Sequence, residues 1–451
     1  MLFIIRNYVF LLLMAAISCN SLHEVRSISS SNVYYINPNN KSDYLQDGSK
    51  THPFESWKMI SKLQLWEEGA KYLQKCNTVS NDVLYLHNIN FGSKKLPITI
   101  GAYGKGKKPK ISVSGQYAIS IRDSRNLIVK DFILEGASFR TIFILADKSD
   151  VYNIKIFNCK IDGQSLKKVS GMHCIQARKS KRSDHCVYNI EIANNLIENA
   201  GDTNLNCDGI NLSVKHNAYI HHNFIQNNSG NGIDLAGGLN HIIEFNKCLN
   251  NAGTKAHGQQ YDLENVIIRN NYFVQFSSKN YNSFGVSIQD SKNGKLINNT
   301  VLLYNIGMGA LILSSPNNSA MFSKNLIKNN LFYGSRKGSA TIRIFPELYE
   351  KSMDEIKLID NVIACSPKSY FVFYHQNNLL KKILDTSNID LKNDYFSQNN
   401  LFYLLNSLKV VDKNLSFQFT SRILKILGVK RKNKMGVVSS FIDMGGFIKT
   451  L

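Results

Sequence analysis

A chain of 451 residues that is 43% hydrophobic and 19% charged can bury an extended core and is not a disordered tail. Its 54 Lys and Arg outnumber 33 Asp and Glu, and the formal charge of +21 raises its affinity for polyanions. No Gly-rich phosphate loop, zinc spacing or Ser-His-Asp arrangement is present, which argues against nucleotide-dependent and metalloprotease functions.

Residues 1–19, MLFIIRNYVFLLLMAAISC, place Arg6 ahead of the apolar run Val9–Met14 and end in small residues. The run is too short to span a membrane and reads as an export signal. Nucleic acid is therefore not an expected partner. Ala16-Ile17-Ser18-Cys19 resembles a bacterial lipoprotein signal, which implies lipidation of Cys19; ordinary cleavage just before Cys19 is the other reading. Lipidation would place the chain at the outer membrane or cell surface, by its lipid alone; otherwise it is periplasmic or extracellular. A monomer is expected. Residues 20–32 are serine-rich and form a tether. Without Cys19 seven cysteines remain, an odd number with no CxxC, which argues against a disulfide framework. Cys159, Cys174, Cys207 and Cys248 hold repeat positions suited to small buried residues, and a Cys174–Cys186 pair stays open.

Residues 33–110 are assigned to an N-terminal cap and first strands. VYYIN (33–37), VLYLHNINF (83–91) and PITIGAY (97–103) read as strands. In 57–76, Ile60, Leu63, Leu65, Tyr72 and Leu73 fall mostly at helical spacing, which predicts a capping helix with Trp57 and Trp66 as its packing residues.

From 111 to 375 the chain repeats. NCDGINL (206–212) returns as NGIDL (231–235), HGQQY (257–261), FGVSI (284–288) and GALIL (309–313). The small residues at 209, 232, 258, 285 and 310 step by 23, 26, 27 and 25, a period that marks a repeat architecture. A second phrase sets Asn195, Asn223, Asn271, Asn299, Asn330 and Asn361 just before an apolar residue. Each unit is too short for a strand–helix–strand crossover. The simplest solid is a coil of parallel strands, one turn per repeat, in which an inward Asn at each bend bonds the backbone above and below.

YYINPNNKSDYLQDGSKTHPFESW, LPITIGAYGKGKKPKI and SSFIDMG (439–445) resemble phrases of the pectate-lyase-like superfamily. The resemblance implies an all-β fold: a right-handed parallel β-helix, a solenoid, with an N-terminal capping helix and an irregular C-terminal cap at 376–451. The cap includes the basic run Lys430–Lys434. That superfamily holds lyases, hydrolases, epimerases, adhesins and inert scaffolds, so the fold does not transmit an activity.

Alternate residues of a strand face outward, so the repeat column predicts a polar stripe of Gln176, Asn211, Asp234, Gln260 and Ser287. His173, Asp208, Asn231, His257 and Phe284 lead the same turns, with Arg178, Lys179, Lys181, Arg182, Lys215 and Lys255 alongside. Such a row suits an acidic polysaccharide. Candidate catalytic residues are Asp208, Asp234, His257 and His173. Candidate binding residues are Gln176, Arg178, Asn211, Lys215, Asn231, Lys255 and Gln260. The leading expectation is cleavage by β-elimination, with Asp208, Asp234 and Asp262 the available carboxylates for a calcium ion. NCDG, SGNG and AHG resemble the NTDG, GDD and GHG phrases of polygalacturonase-type hydrolases, matched at Asp208 and His257. Asn231 and Gly232 stand where that family has its aspartate pair. A non-catalytic glycan-binding surface is the competing class. His221 and His222 fall on a different strand line and read as surface residues, and Asp123 and Arg125 mark a turn.

Overall fold

The computed structural model describes residues 33–40, 45–164, 170–203, 205–276, 283–304, 306–316, 322–345, 348, 356–365, 370–376, 379–383 and 401–404. The expected signal, the Cys19 site, the tether, Lys430–Lys434, SSFIDMG and nearly all of the C-terminal cap lie outside these residues.

The described strands form three sheets of 12, 15 and 12 members; a turn gives one strand to each, and three turns add a second short strand to the largest, Gly238–Leu239, Leu263–Glu264 and Ser291–Lys292. One turn runs His173–Lys179, Val187–Ala193 and Leu196–Glu198; the next runs Ile210–Leu212, His216–His221 and Phe224–Gln226. We call the sheets one, two and three in that order. Pairing between turns is parallel, residue over residue, and the coil is the right-handed parallel β-helix expected. Each side chain therefore stacks on its equivalent one strand spacing away, ~4.8 Å. The core follows from this: Ile142, Ile175, Ile210 and Ile233 lie above one another in sheet one, all inaccessible to solvent. Each contributes about 1.5–3 kcal/mol by burial.

From the turn that starts at Arg125 onward, the bend from sheet two to sheet three is two residues in every described turn. The first takes a left-handed conformation at Asn158, Asn194, Asn270, Asn298 and Asn329, an unusual one that Asn tolerates. The second, in seven turns, is an inward Asn: 195, 223, 246, 271, 299, 330 and 361, all buried. Each of the first six donates its backbone N–H and its amide to the Oδ1 of the next, as in Asn223 to Asn246 and Asn246 to Asn271 at 2.9–3.1 Å. The amide also reaches a carbonyl of the preceding turn, Asn246 to Ile220 at 2.9 Å. Asn246, in NKCLNN, joins the six asparagines expected from sequence.

The capping helix is shorter than predicted. It spans Trp57–Leu63, with Ser56 capping the Met59 N–H, and stops where Gln64 turns left-handed at φ 53°. Trp57 and Ile60 fill the end of the core, and Ser61 Oγ donates to the Tyr85 carbonyl on the first strand of sheet one, covering its open edge. Lys71–Lys75 is a strand of sheet two. Tyr72 follows Leu65 by seven residues, two helical turns, which extends the helical pattern on paper, whereas the burial of KYLQK alternates as in a strand.

Gly237 has φ +84°, and an added Cβ would lie 2.0 Å from the Tyr261 carbonyl oxygen. Gly237→Ala is expected to cost about 2–4 kcal/mol from strain and overlap together, read as a fall in denaturant midpoint at unchanged slope.

His241 is fully buried. Its Nδ1 accepts the Ala218 N–H at 3.0 Å and its Nε2–H donates to the Gly237 carbonyl at 3.1 Å. Burial, with a smaller push from His216, lowers its pKa from 6.5 to about 4, against the opposing Gly237 bond. The unfolded chain accepts a proton below pH 6.5 that the folded chain refuses until about pH 4. Stability is therefore full above 6.5, falls as pH drops through that window, and levels off below it, by about 3 kcal/mol in all. Comparing the pH-dependence of unfolding for wild type and His241→Asn isolates this part; an identical slope would refute it.

Candidate functional site

Sheet one assembles most of the predicted residues, in a register that the sequence misplaced by one phrase. Gln176 pairs with Asn211, Asn211 with Asp234, Asp234 with Lys255 and Lys255 with Ser287. Lys255, not Gln260, continues the outward row. The small residue of this turn is Gly253, whose carbonyl accepts the Gly232 N–H, five positions before the Gly258 used in the sequence alignment. Gln260 and Asp262 lie exposed in the loop after Thr254–His257. His257 consequently ends its strand, and Ala252 holds the leading position of that turn. Lys215 is exposed at the bend leaving sheet one; His221 ends a strand of sheet two and His222 opens the bend to sheet three, both away from sheet one.

The shifted register creates a pair. Asp234 and His257 sit diagonally on adjacent strands, with Asp234 Oδ1 3.0 Å from His257 Nε2. Their side chains are 13% and 9% exposed, so both retain a path to solvent. The carboxylate takes the Nε2–H and leaves Nδ1 as the unprotonated nitrogen, without a partner among the described residues.

Asp208 lies behind this row, with no solvent exposure. Its Oδ1 accepts the Asn231 N–H at 2.6 Å and its Oδ2 accepts the Asn211 amide at 2.9 Å. His173 Nδ1 lies 3.1 Å from both the backbone N–H and the Oδ2 of Asp208, so among the described residues the His173 ring is held against Asp208 alone. The amides form a directed chain. Arg140 Nε–H donates to Gln176 Oε1, the Gln176 amide to Asn211 Oδ1 at 3.1 Å, and the Asn211 amide to Asp208. A buried cation and a buried anion thus orient two amides between them. In this geometry Asp208 positions Asn211 and does not reach a ligand on the face. Burial, then the charge of Arg178, lowers the pKa of Arg140 to about 10.

Among the described residues no three His, Cys, Asp or Glu side chains meet closely enough to hold a metal. Asp208 is buried, Asp234 is spent on His257 and Asp262 is in the exposed loop, so these three do not form the calcium donor set considered from sequence. Cys174 and Cys186 are free thiols, not a disulfide. Buried Cys159, Cys174, Cys207 and Cys248 have their pKa values pushed up by desolvation, which makes them inert.

Two residues of the face escaped the sequence reading: Arg122 and Arg140. Aligning RTIFILA (140–146) with HCIQARK (173–179), as the sheet does, would have carried the row one turn upstream to Arg140, and pairing Leu145 with Arg122 a further turn.

No family model and no curated protein matches the chain. Solved structures do. A GH136 lacto-N-biosidase from Eubacterium ramulus is similar at 13% identity, TM-score 0.59, over 83% of this chain and 68% of that one. PfbA, a surface adhesin of Streptococcus pneumoniae, is similar at 11% identity, TM-score 0.45, over 76% and 94%. A mannuronic acid specific polysaccharide family 6 lyase from human gut microbiota is similar at 13% identity, TM-score 0.39, over 93% and 99%. At these identities the likeness establishes the β-helix alone.

Proposed function

We propose that the chain is an exported protein that binds an extended acidic polysaccharide along sheet one and cleaves it by β-elimination. The observation that carries this reading is an imidazole oriented by one carboxylate, Asp234–His257, beside Lys255, which has no ion pair among the described residues, and the oriented Asn211 amide. Lys255 and Asn211 neutralise the sugar carboxylate. His257 Nδ1 takes the hydrogen from the ring carbon bearing that carboxylate. The electron pair left behind forms a ring double bond as the glycosidic C–O bond breaks, and the leaving oxygen takes a proton from water. Asp234 stabilises the imidazolium that results. No step calls for a metal. Hydrolysis needs two carboxylates flanking the bond. Of Asp208 and Asp234 only the second reaches solvent, which weighs against the polygalacturonase-like alternative.

Incubation with alginate, pectate and glycosaminoglycans should generate the ultraviolet absorbance of an unsaturated uronate with at least one of them. Binding without absorbance would make the chain a non-catalytic glycan-binding protein, and neither binding nor absorbance would remove acidic glycans from consideration. Lipidation at Cys19 belongs to the same proposal: metabolic labelling with a fatty acid should mark the wild type and not Cys19→Ser.

A further inference from the structure

On sheets two and three, cations stand against carboxylates. Lys155 meets Glu191 at 2.9 Å, Arg269 meets Glu244 at 2.5 Å, Lys110 meets Glu135 at 3.0 Å and Lys160 meets Glu198 at 3.0 Å. On sheet one, Arg122 and Arg178 have no hydrogen bond or ion pair among the described residues. Both are half-buried, and in each the Nε–H is shut off from solvent without an acceptor. Buried donors are rarely left so, and a guanidinium seldom lies partly buried without an anion.

The two arginines share one outward row. Leu145 pairs with Arg122 on one side and Arg178 on the other. Two strand spacings, ~10 Å, separate their backbones, a gap two arginine side chains can close over the apolar Leu145. Arg140 adds a third guanidinium close enough for the charge of Arg178 to depress its pKa, and the charge of Arg122 likewise pushes His87 down after burial. The nearby carboxylate, Asp123, turns its Oδ1 to the backbone N–H groups of Asp147, Lys148 and Ser149 and makes no ion pair with either arginine. Among the described residues no carboxylate forms an ion pair with Arg122 or Arg178.

We infer that Arg122 and Arg178 form an anion clamp over Leu145 that takes a sulfate half-ester or carboxylate of a bound glycan. The planar donor forks of two arginines suit the oxygens of either group. This rests on the acidic-glycan reading of sheet one and sharpens it. Continuing these registers by one residue carries the row from Arg178 past Ser213 and Ala236 to His257, three spacings or ~14 Å, so a ligand that fills both the clamp and the Asp234–His257 pair carries an anionic group at each end of that span.

The clamp is tested by following the arginine Nε–H resonances while sodium sulfate, and separately oligogalacturonate, is titrated in. The Arg122 and Arg178 signals should shift and saturate with at least one of them. Arg122→Gln/Arg178→Gln should weaken binding of the acidic polymer about tenfold and flatten its salt dependence. Signals unmoved by both anions overturn the clamp, even if the polymer binds nearer His257 and is cleaved there, which leaves the lyase reading standing. A saturable shift with sulfate and no binding of any acidic glycan keeps the clamp and overturns the glycan reading.

Discussion

Asn271→Ala should destabilise the chain by about 4–6 kcal/mol, the largest effect expected of any single truncation. Asn271 Oδ1 accepts both the N–H and the amide of Asn246, and its own amide serves the Ile243 and Arg269 carbonyls and Asn299 Oδ1, at 2.8–3.1 Å. Only 1% of the residue is exposed, so water cannot replace the lost partners. Alanine would strand groups on three successive turns, each at about 1–3 kcal/mol, and leave a hole. Asn271→Asp is the informative control. It keeps the acceptor for Asn246 but donates nothing and buries a charge, so it should be no better tolerated than alanine. The measurement is the denaturant midpoint at constant slope. A loss below about 1 kcal/mol would show that the ladder follows the fold and does not hold it.

His257→Ala and Asp234→Ala should each lower turnover of the cleaved glycan by about 10²–10⁴-fold, with midpoints of unfolding little changed. The pair has a further signature. If Asp234 acts by holding the Nε2–H tautomer of His257, removing both residues should cost about as much as removing one. Additive losses would mean that the two work independently. Asp208→Asn should behave differently, since Asp208 touches only Asn211, His173 and the Asn231 N–H. It should lose stability as well as activity. Activity within about threefold of wild type after His257→Ala would place the chemistry elsewhere.

The fold was legible because its signals are local and redundant: a period, and an Asn at the same phase of each unit. The site was legible only in part, because it depends on which residues stack between turns. The 254–257 turn shows why. TKAH has no glycine within it, while Gly258 imitates the repeat, so the reading slid along the chain, chose Gln260 over Lys255 and put His257 at the wrong end of its strand. Its chemical type was right and its neighbour was not foreseen. Asp208 shows a second limit. Nothing in NCDG says that its carboxylate will be sealed behind Asn211; that follows from the close approach of the Cys207–Gly209 and Gly230–Asn231 backbones. Arg122 and Arg140 lacked the motif phrase altogether and emerge only once Leu145 and His173 give the register.

From Arg125 onward the corner between sheets two and three keeps two residues, with a consequence for how such a molecule changes over generations. Ladder asparagines lie 23 to 31 residues apart, yet every turn climbs by one strand, so the surplus length is taken up at the other two corners. Those two corners border sheet one on either side. Inserted segments can therefore remodel the walls beside the arginines and His257 while the scaffold beneath is untouched. One extra residue at the fixed corner would instead swap inside for outside along the next strand.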